Sequence, residues 1–186
     1  MQFQRLASFL LGIWLGVSVF MDFVATQNFQ NVARVMNTLD LRVLEGAKPI
    51  GGMESARLLL RHAAGEANRH LFEQWESAEL GIGVLLLLAL LFSRKYQKFA
   101  MSVCAAMLTV VAVQRFKVTP AIAAWGRAID FTNSSSEHFR FYHALYGYLE
   151  VGKVVLGIIL AASLLIRWKA DRKTFVRQYE RAGQVG

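Results

Sequence analysis

Residues 141–166 read FYHALYGYLEVGKVVLGIILAASLLI. This stretch is long enough to cross the hydrocarbon core of a bilayer, which takes about 20 mostly apolar residues in an α-helix. Its charged residues are Glu150 and Lys153, three positions apart. We expect a transmembrane helix in which these two groups face the interior of a bundle, because charge exposed to lipid is costly.

Three further stretches of the chain have the same apolar character. Of its 186 residues, 55% are hydrophobic and only 18% are charged, whereas a soluble domain has about 25% charged residues. The composition therefore predicts an all-α fold, a four-helix transmembrane bundle that forms a single integral membrane domain over residues 1–186. The predicted spans are about 6–24, 71–92, 99–118 and 141–166.

Local residues set the limits of the first and third spans. Asp22 interrupts the first apolar run and no Ala-x-Ala cleavage site follows it, so we expect an uncleaved span rather than a signal peptide. Pro120 follows the third run. Because proline lacks a backbone donor, we expect the third helix to stop in front of it.

The segment between the first two spans, residues 28–76, predicts amphipathic helices on the outer side of the membrane. Turn residues at 48–52 divide it. Such helices would lie on the outer leaflet or cap the bundle, and the sequence leaves open whether they contact lipid or protein. Apolar residues recur at helical spacing at Phe29, Val32, Ala33, Met36 and Leu39.

The distribution of lysine and arginine predicts the orientation. Ten of them, against two acids, lie at the N-terminus, in the 94–98 loop and in the basic tail 167–186. Short basic segments beside spans stay in the cytoplasm, so we expect both termini to be cytoplasmic in a bacterial-type plasma (inner) membrane. Anionic lipid headgroups are the expected partners of this face. The net charge of +8 is explained in this way, and no nucleic acid partner is predicted.

Each span carries an ionisable residue at a similar distance from the inner basic residues. At ~1.5 Å per residue, these groups would share one layer near the outer edge of the hydrocarbon core. The layer is either an outward-facing pocket for a cation, a proton or a polar group of a partner, or a structural set of ion pairs. Its members are Asp22, Glu79, Arg115, Glu150 and, about one turn deeper, Lys153.

Candidates for cofactor chemistry are few. His143, at the start of the fourth span, is the candidate ligand for a haem b group or a metal ion, although histidine beside aromatic residues is also ordinary at a membrane interface. Cys104 in mid-span predicts a buried, inert thiol. The sequence contains no Ser-His-Asp pattern, Gly-rich phosphate loop or zinc-ligand spacing. We therefore predict no catalytic residue and no cofactor.

Three short motifs occur in order along the chain. They are Trp14-Leu15-Gly16 with Val19-Phe20 and Phe23-Val24, then Thr119-Pro120-Ala121-Ile122, then Phe139 with His143. These motifs resemble those of the small four-span membrane proteins called domain of unknown function 4149, which are similar to the eukaryotic transmembrane protein 205. The resemblance implies a four-span bundle of undefined activity, with a distant relationship to copper-resistance proteins and haem-binding four-span oxidases. The span-one histidine of such oxidases is missing here.

Three functions fit these patterns. The leading expectation is a non-catalytic accessory or structural subunit that packs against other membrane protein subunits, because small residues in spans favour close helix contact. The second is a small carrier or binding protein for a cation or polar solute at the charged layer. The third is a redox protein that uses His143 as a haem or metal ligand.

Overall fold

The computed structural model describes residues 2–38, 45–46, 48–93, 98–129 and 136–183. This part of the chain is almost entirely helical and contains no strand. The elements are α1 (Gln2–Asn37), a 3₁₀ turn (Lys48–Ile50), α2 (Gly52–Leu91), α3 (Lys98–Val113), a π-helical turn (Gln114–Val118), α4 (Thr119–Ile129) and α5 (Glu137–Gly183).

Among the described residues, four helical stretches are long and apolar enough to cross a membrane. Three are α1, α2 and the first part of α5, and the fourth is the continuous rod formed by α3, the π-helical turn and α4. The chain is therefore a membrane protein, and the predicted all-α four-helix bundle is confirmed.

The bundle directs large apolar side chains both inward and outward. Trp14, Leu86, Met107 and Leu160 are fully buried and belong to one continuous core. Apolar side chains exposed on all four spans would be unfavourable in water and are typical of lipid contact. They include Phe9, Phe20, Leu85, Phe99 and Ile158.

The segment between the first two spans differs from its prediction. We expected separate amphipathic helices, but residues 28–37 prolong α1 and residues 52–76 prolong α2. The two prolonged helices are joined through Asn68 of α2. Its Nδ2 donates to the backbone oxygen of Ala25 at 3.0 Å, and its Oδ1 accepts from Asn28 Nδ2 at 2.6 Å. These bonds hold the two prolonged helices side by side. Leu39 lies outside the described residues.

The prediction that the third helix stops before Pro120 is also wrong. The chain stays helical from Lys98 to Ile129 because a π-helical turn precedes the proline. In this turn the Thr119 backbone N–H donates to the Gln114 carbonyl, five residues back. The wider turn accommodates a proline that an α-helix would not, so the third span continues past it.

Glycine permits a close approach of three helices at Gly83. A Cβ there would overlap Leu108 of α3 and lie 2.9 Å from Cη2 of Trp14 in α1. Gly81, two residues away on the same helix, has nothing within 4 Å of the same position. Only the first of these glycines is therefore required by packing.

We expect Gly83→Ala to lower the free energy of unfolding by about 1–3 kcal/mol through overpacking. The control Gly81→Ala should be neutral or slightly stabilising, because alanine favours a helix over glycine by about 1 kcal/mol. Thermal unfolding of both variants in mild detergent, followed by circular dichroism, measures the difference. Equal unfolding temperatures for the two variants would contradict the proposed packing.

Candidate functional site

Glu79 is the centre of a hydrogen-bond network inside the bundle. Its side chain is fully buried, and its Oε1 accepts three hydrogen bonds. The donors are Trp14 Nε1 at 2.6 Å, Ser18 Oγ at 3.1 Å and Lys153 Nζ at 2.6 Å. Trp14 and Ser18 belong to α1 and Lys153 to α5, so one carboxyl group of α2 joins three spans.

Lys153 connects this centre to a second carboxyl group. Its Nζ lies 2.8 Å from Oε2 of Glu150, one helical turn earlier in α5, and its side chain is 1% exposed. Gln114 Nε2 donates to the same Glu150 oxygen at 3.1 Å. Gln114 is the first residue of the π-helical turn, so the irregular part of the third span provides this contact.

Glu76 adds a third buried carboxyl group. It lies one turn before Glu79 and is fully buried, and Thr119 Oγ1 donates to its Oε1. Arg115 is near enough to interact with it electrostatically. We refer to Glu76, Glu79, Gln114, Glu150 and Lys153 as the polar core.

The polar core contains more acceptors than donors. Three carboxyl groups accompany a single ammonium group, and four buried oxygen atoms have no hydrogen-bond partner among the described residues. Buried polar atoms in folded proteins are almost always paired, so each of these oxygens can accept a hydrogen bond from a further donor. The four atoms are Glu76 Oε2, Glu79 Oε2, Gln114 Oε1 and Glu150 Oε1.

A cavity of about 890 Å³ lies beside the polar core, between α1, α2, α4 and α5. Glu150 forms part of its wall, so the polar core meets the cavity at this residue. Asp22 of α1 is the second carboxyl group on the wall. Much of the remaining wall is apolar and is formed by Phe29, Phe72, Ile122, Phe139, Val151, Val154 and Val155.

Arg69, the one arginine among the described residues of the cavity wall, is held by an ion-pair network. Its Nη2 lies 2.8 Å from Glu66 Oε1, and Arg127 contacts both oxygens of the same carboxylate at 2.7 and 3.2 Å. Arg69 precedes Glu76 by seven residues, or about 10 Å along α2. Arg69 therefore lies about two helical turns from the polar core.

The structure places the predicted layer residues in two groups. Glu79, Glu150 and Lys153 lie together in the polar core. Asp22 is exposed on the cavity wall, where it interacts electrostatically with Glu150 and Lys153. Arg115 is half-buried and lies near Glu76 rather than in the chain of contacts from Glu79 to Glu150.

Several polar-core contacts were missed by the sequence reasoning. Trp14 and Ser18 are four residues apart and so share one face of α1. Glu76 precedes Glu79 by three residues and shares its face in the same way. These spacings are visible in the sequence. The participation of Gln114 is not, because it depends on the π-helical turn.

His143 lies on the cavity wall, with its ring 5.7 Å from that of Phe139 between centroids. Over the described ranges, no three His, Cys, Asp or Glu side chains come together in a way that could hold a metal ion. The role of His143 as a haem or metal ligand stays a prediction.

Comparisons of the chain with protein-family models, with curated proteins and with solved structures find no match.

We expect Lys153→Met to lower the free energy of unfolding by about 3–5 kcal/mol, because it leaves two buried carboxyl groups without their cation. Adding Glu79→Gln should restore part of this loss, since it removes one of those groups. The matched control is Lys117→Met, at an exposed position of the third span. Unfolding in mild detergent compares the variants, and equal effects of Lys153→Met and Lys117→Met would contradict the buried network.

Proposed function

We propose that this membrane protein binds a cationic solute with an apolar body in the cavity beside the polar core. The observation that carries the proposal is Glu150 Oε1, a buried carboxyl oxygen that has no donor among the described residues, in a residue that lines an 890 Å³ cavity. Among the functions considered from the sequence, this corresponds to the carrier or binding protein.

The charge of the site favours a cation. Two carboxyl groups, Asp22 and Glu150, line the cavity together with His143, and the wall arginine, Arg69, is paired with Glu66. The Lys153 ammonium group contacts both Glu150 and Glu79, so one positive charge is shared by two carboxyl groups. A cation in the cavity would add positive charge beside Glu150, and an ammonium N–H would also supply the donor that its Oε1 lacks.

The shape and chemistry of the wall favour an apolar body. Ligand sites are commonly apolar clefts with a few well-placed polar groups, and their volumes are about 300–1,000 Å³. Phe72, Val151 and Val155 line this cavity together with the carboxyl groups. Its wall chemistry therefore suits an organic ammonium or phosphonium ion better than a hydrated metal ion.

The test uses the protein in nanodiscs of phosphatidylcholine and radiolabelled tetraphenylphosphonium as the probe. We expect saturable binding above that of empty nanodiscs. Tetraphenylborate has the same shape and the opposite charge, and it should not bind saturably. Glu150→Gln should weaken binding about 10- to 100-fold, because it removes one of the two carboxylate charges of the wall that attract the probe.

The matched control is Glu54→Gln, which makes the same change at a side chain that is 62% exposed near the start of α2. It should leave binding unchanged. Equal binding of the two probes, or indifference to Glu150→Gln, would overturn the proposal.

The second candidate is an accessory subunit. The exposed apolar side chains of the four spans suit contact with another membrane protein. Those surfaces suit lipid as well as other subunits. Extraction from native membranes distinguishes the two roles, because a stable co-purifying membrane chain supports the accessory role. The absorption spectrum of the same sample tests the His143 alternative, for which a Soret band is expected.

We also propose that both termini face the cytoplasm of a bacterial-type inner membrane. The basic residues at 94–98 and in the tail 167–186 support this orientation through the positive-inside rule. The basic face would then contact anionic lipid headgroups.

Cysteine labelling tests the orientation. Lys48→Cys, exposed in the 3₁₀ turn between α1 and α2, should react with a membrane-impermeant maleimide in intact spheroplasts. Ser93→Cys, just after α2, should react only after permeabilisation. The native Cys104 is buried and serves as the internal background. The reverse labelling pattern would contradict the proposed orientation.

A further inference from the structure

The polar core has a charge deficit that its own residues do not remove. Glu76, Glu79 and Glu150 are 0%, 0% and 6% exposed, and Lys153 is 1% exposed. If all four were ionised, three negative charges would accompany one positive charge in the interior of the bundle. An uncompensated charge at such a place costs several kcal/mol.

The same residues also have a hydrogen-bond deficit. Each of the three carboxyl groups has one unpaired oxygen, which can only accept while the group is ionised, and the amide oxygen of Gln114 is unpaired as well. A protonated carboxyl group becomes a donor as well as an acceptor. One proton therefore reduces both deficits, because it removes a negative charge and supplies the donor that a neighbouring oxygen lacks.

A proton fits this place better than a metal ion does. The described residues contain no group of three ligating side chains that could hold a metal. In addition, the Lys153 ammonium already lies between Glu79 and Glu150, at 2.6 and 2.8 Å. Carboxyl groups held close together commonly share a proton, because their charges repel when both are ionised.

We infer that the polar core binds a proton shared among Glu76, Glu79 and Glu150, and that a cation entering the cavity releases it. The release rests on the proposed function; the proton site does not. The step balances as an exchange at the cavity wall. The O–H bond of the Glu150 carboxyl group breaks, its electron pair stays on the carboxylate that pairs with the cation, and the proton leaves to water in the cavity.

The contacts of Lys153 connect the inner carboxyl groups to the cavity. Lys153 touches both Glu79 and Glu150, so it can follow whichever of the two carries the charge. Glu76 lies one turn from Glu79 on the same face. The other titratable or charged groups beside this network are Asp22 from α1, Arg115 from the π-helical turn, and His143 and Tyr146 from α5.

Infrared spectroscopy of the ligand-free protein in nanodiscs tests the proton site. We expect the carbonyl stretch of a protonated carboxyl group at neutral pH, shifted in D₂O, which disappears as the pH rises. Glu76→Gln and Glu79→Gln should each reduce this band, whereas Glu54→Gln should not. The pH titration of the unmodified protein gives an answer even where a variant fails to fold.

Tetraphenylphosphonium binding as a function of pH tests the release. Below the pH at which the band titrates, the affinity should rise about tenfold per pH unit, because one proton leaves for each cation bound, and it should level off above that pH. A pH indicator in weakly buffered nanodiscs should report that proton when the probe is added, and tetraphenylborate should release none.

The outcomes separate the two proposals. Saturable cation binding with no carboxyl band and no pH dependence overturns the proton site and leaves the proposed function standing. A carboxyl band without cation binding overturns the proposed function and the exchange, and supports the proton site. A band that persists unchanged in Glu76→Gln, Glu79→Gln and Glu150→Gln alike overturns the assignment to the polar core.

Discussion

The contact of Lys153 with Glu79 and Glu150 is the constraint on which the arrangement of the bundle depends. Ionisable groups can lie inside a membrane bundle only when they are paired or solvated. Here the pairing requires α2 and α5 to meet at one level. Trp14 from α1 and Gln114 from the third span donate to the same carboxyl groups. All four spans therefore meet at the polar core.

Two local features, Gly83 and the π-helical turn, allow the spans to meet at the polar core. Gly83 allows Trp14 of α1 to approach α2 closely, and the same Trp14 donates to Glu79. The π-helical turn lets the third span continue past Pro120 and begins at Gln114, the residue that reaches Glu150. Turns of this kind are frequent at functional sites. Packing and polar chemistry are thus combined at the same residues.

The site combines a buried cluster of charged groups with an adjoining open cavity. Glu150 belongs to both, since it contacts Lys153 on one side and lines the cavity on the other. An occupant of the cavity can therefore change the charge balance of groups that are themselves shielded from it. Four buried oxygens of the polar core have no hydrogen-bond partner among the described residues.

The sequence by itself determined the class of protein and the number of spans, because an apolar run of sufficient length has few alternatives to a membrane helix. It also predicted a layer of Asp22, Glu79, Arg115 and Glu150, with Lys153 about one turn deeper, since depth along a span follows from residue number. The structure brings Glu79, Glu150 and Lys153 together. Tertiary structure decided how each span is rotated about its axis. That rotation buries Glu76, turns Asp22 to the cavity wall and leaves Arg115 half-buried. It depends on contacts between residues far apart in the chain, such as Asn68 with Ala25, which no local pattern reveals.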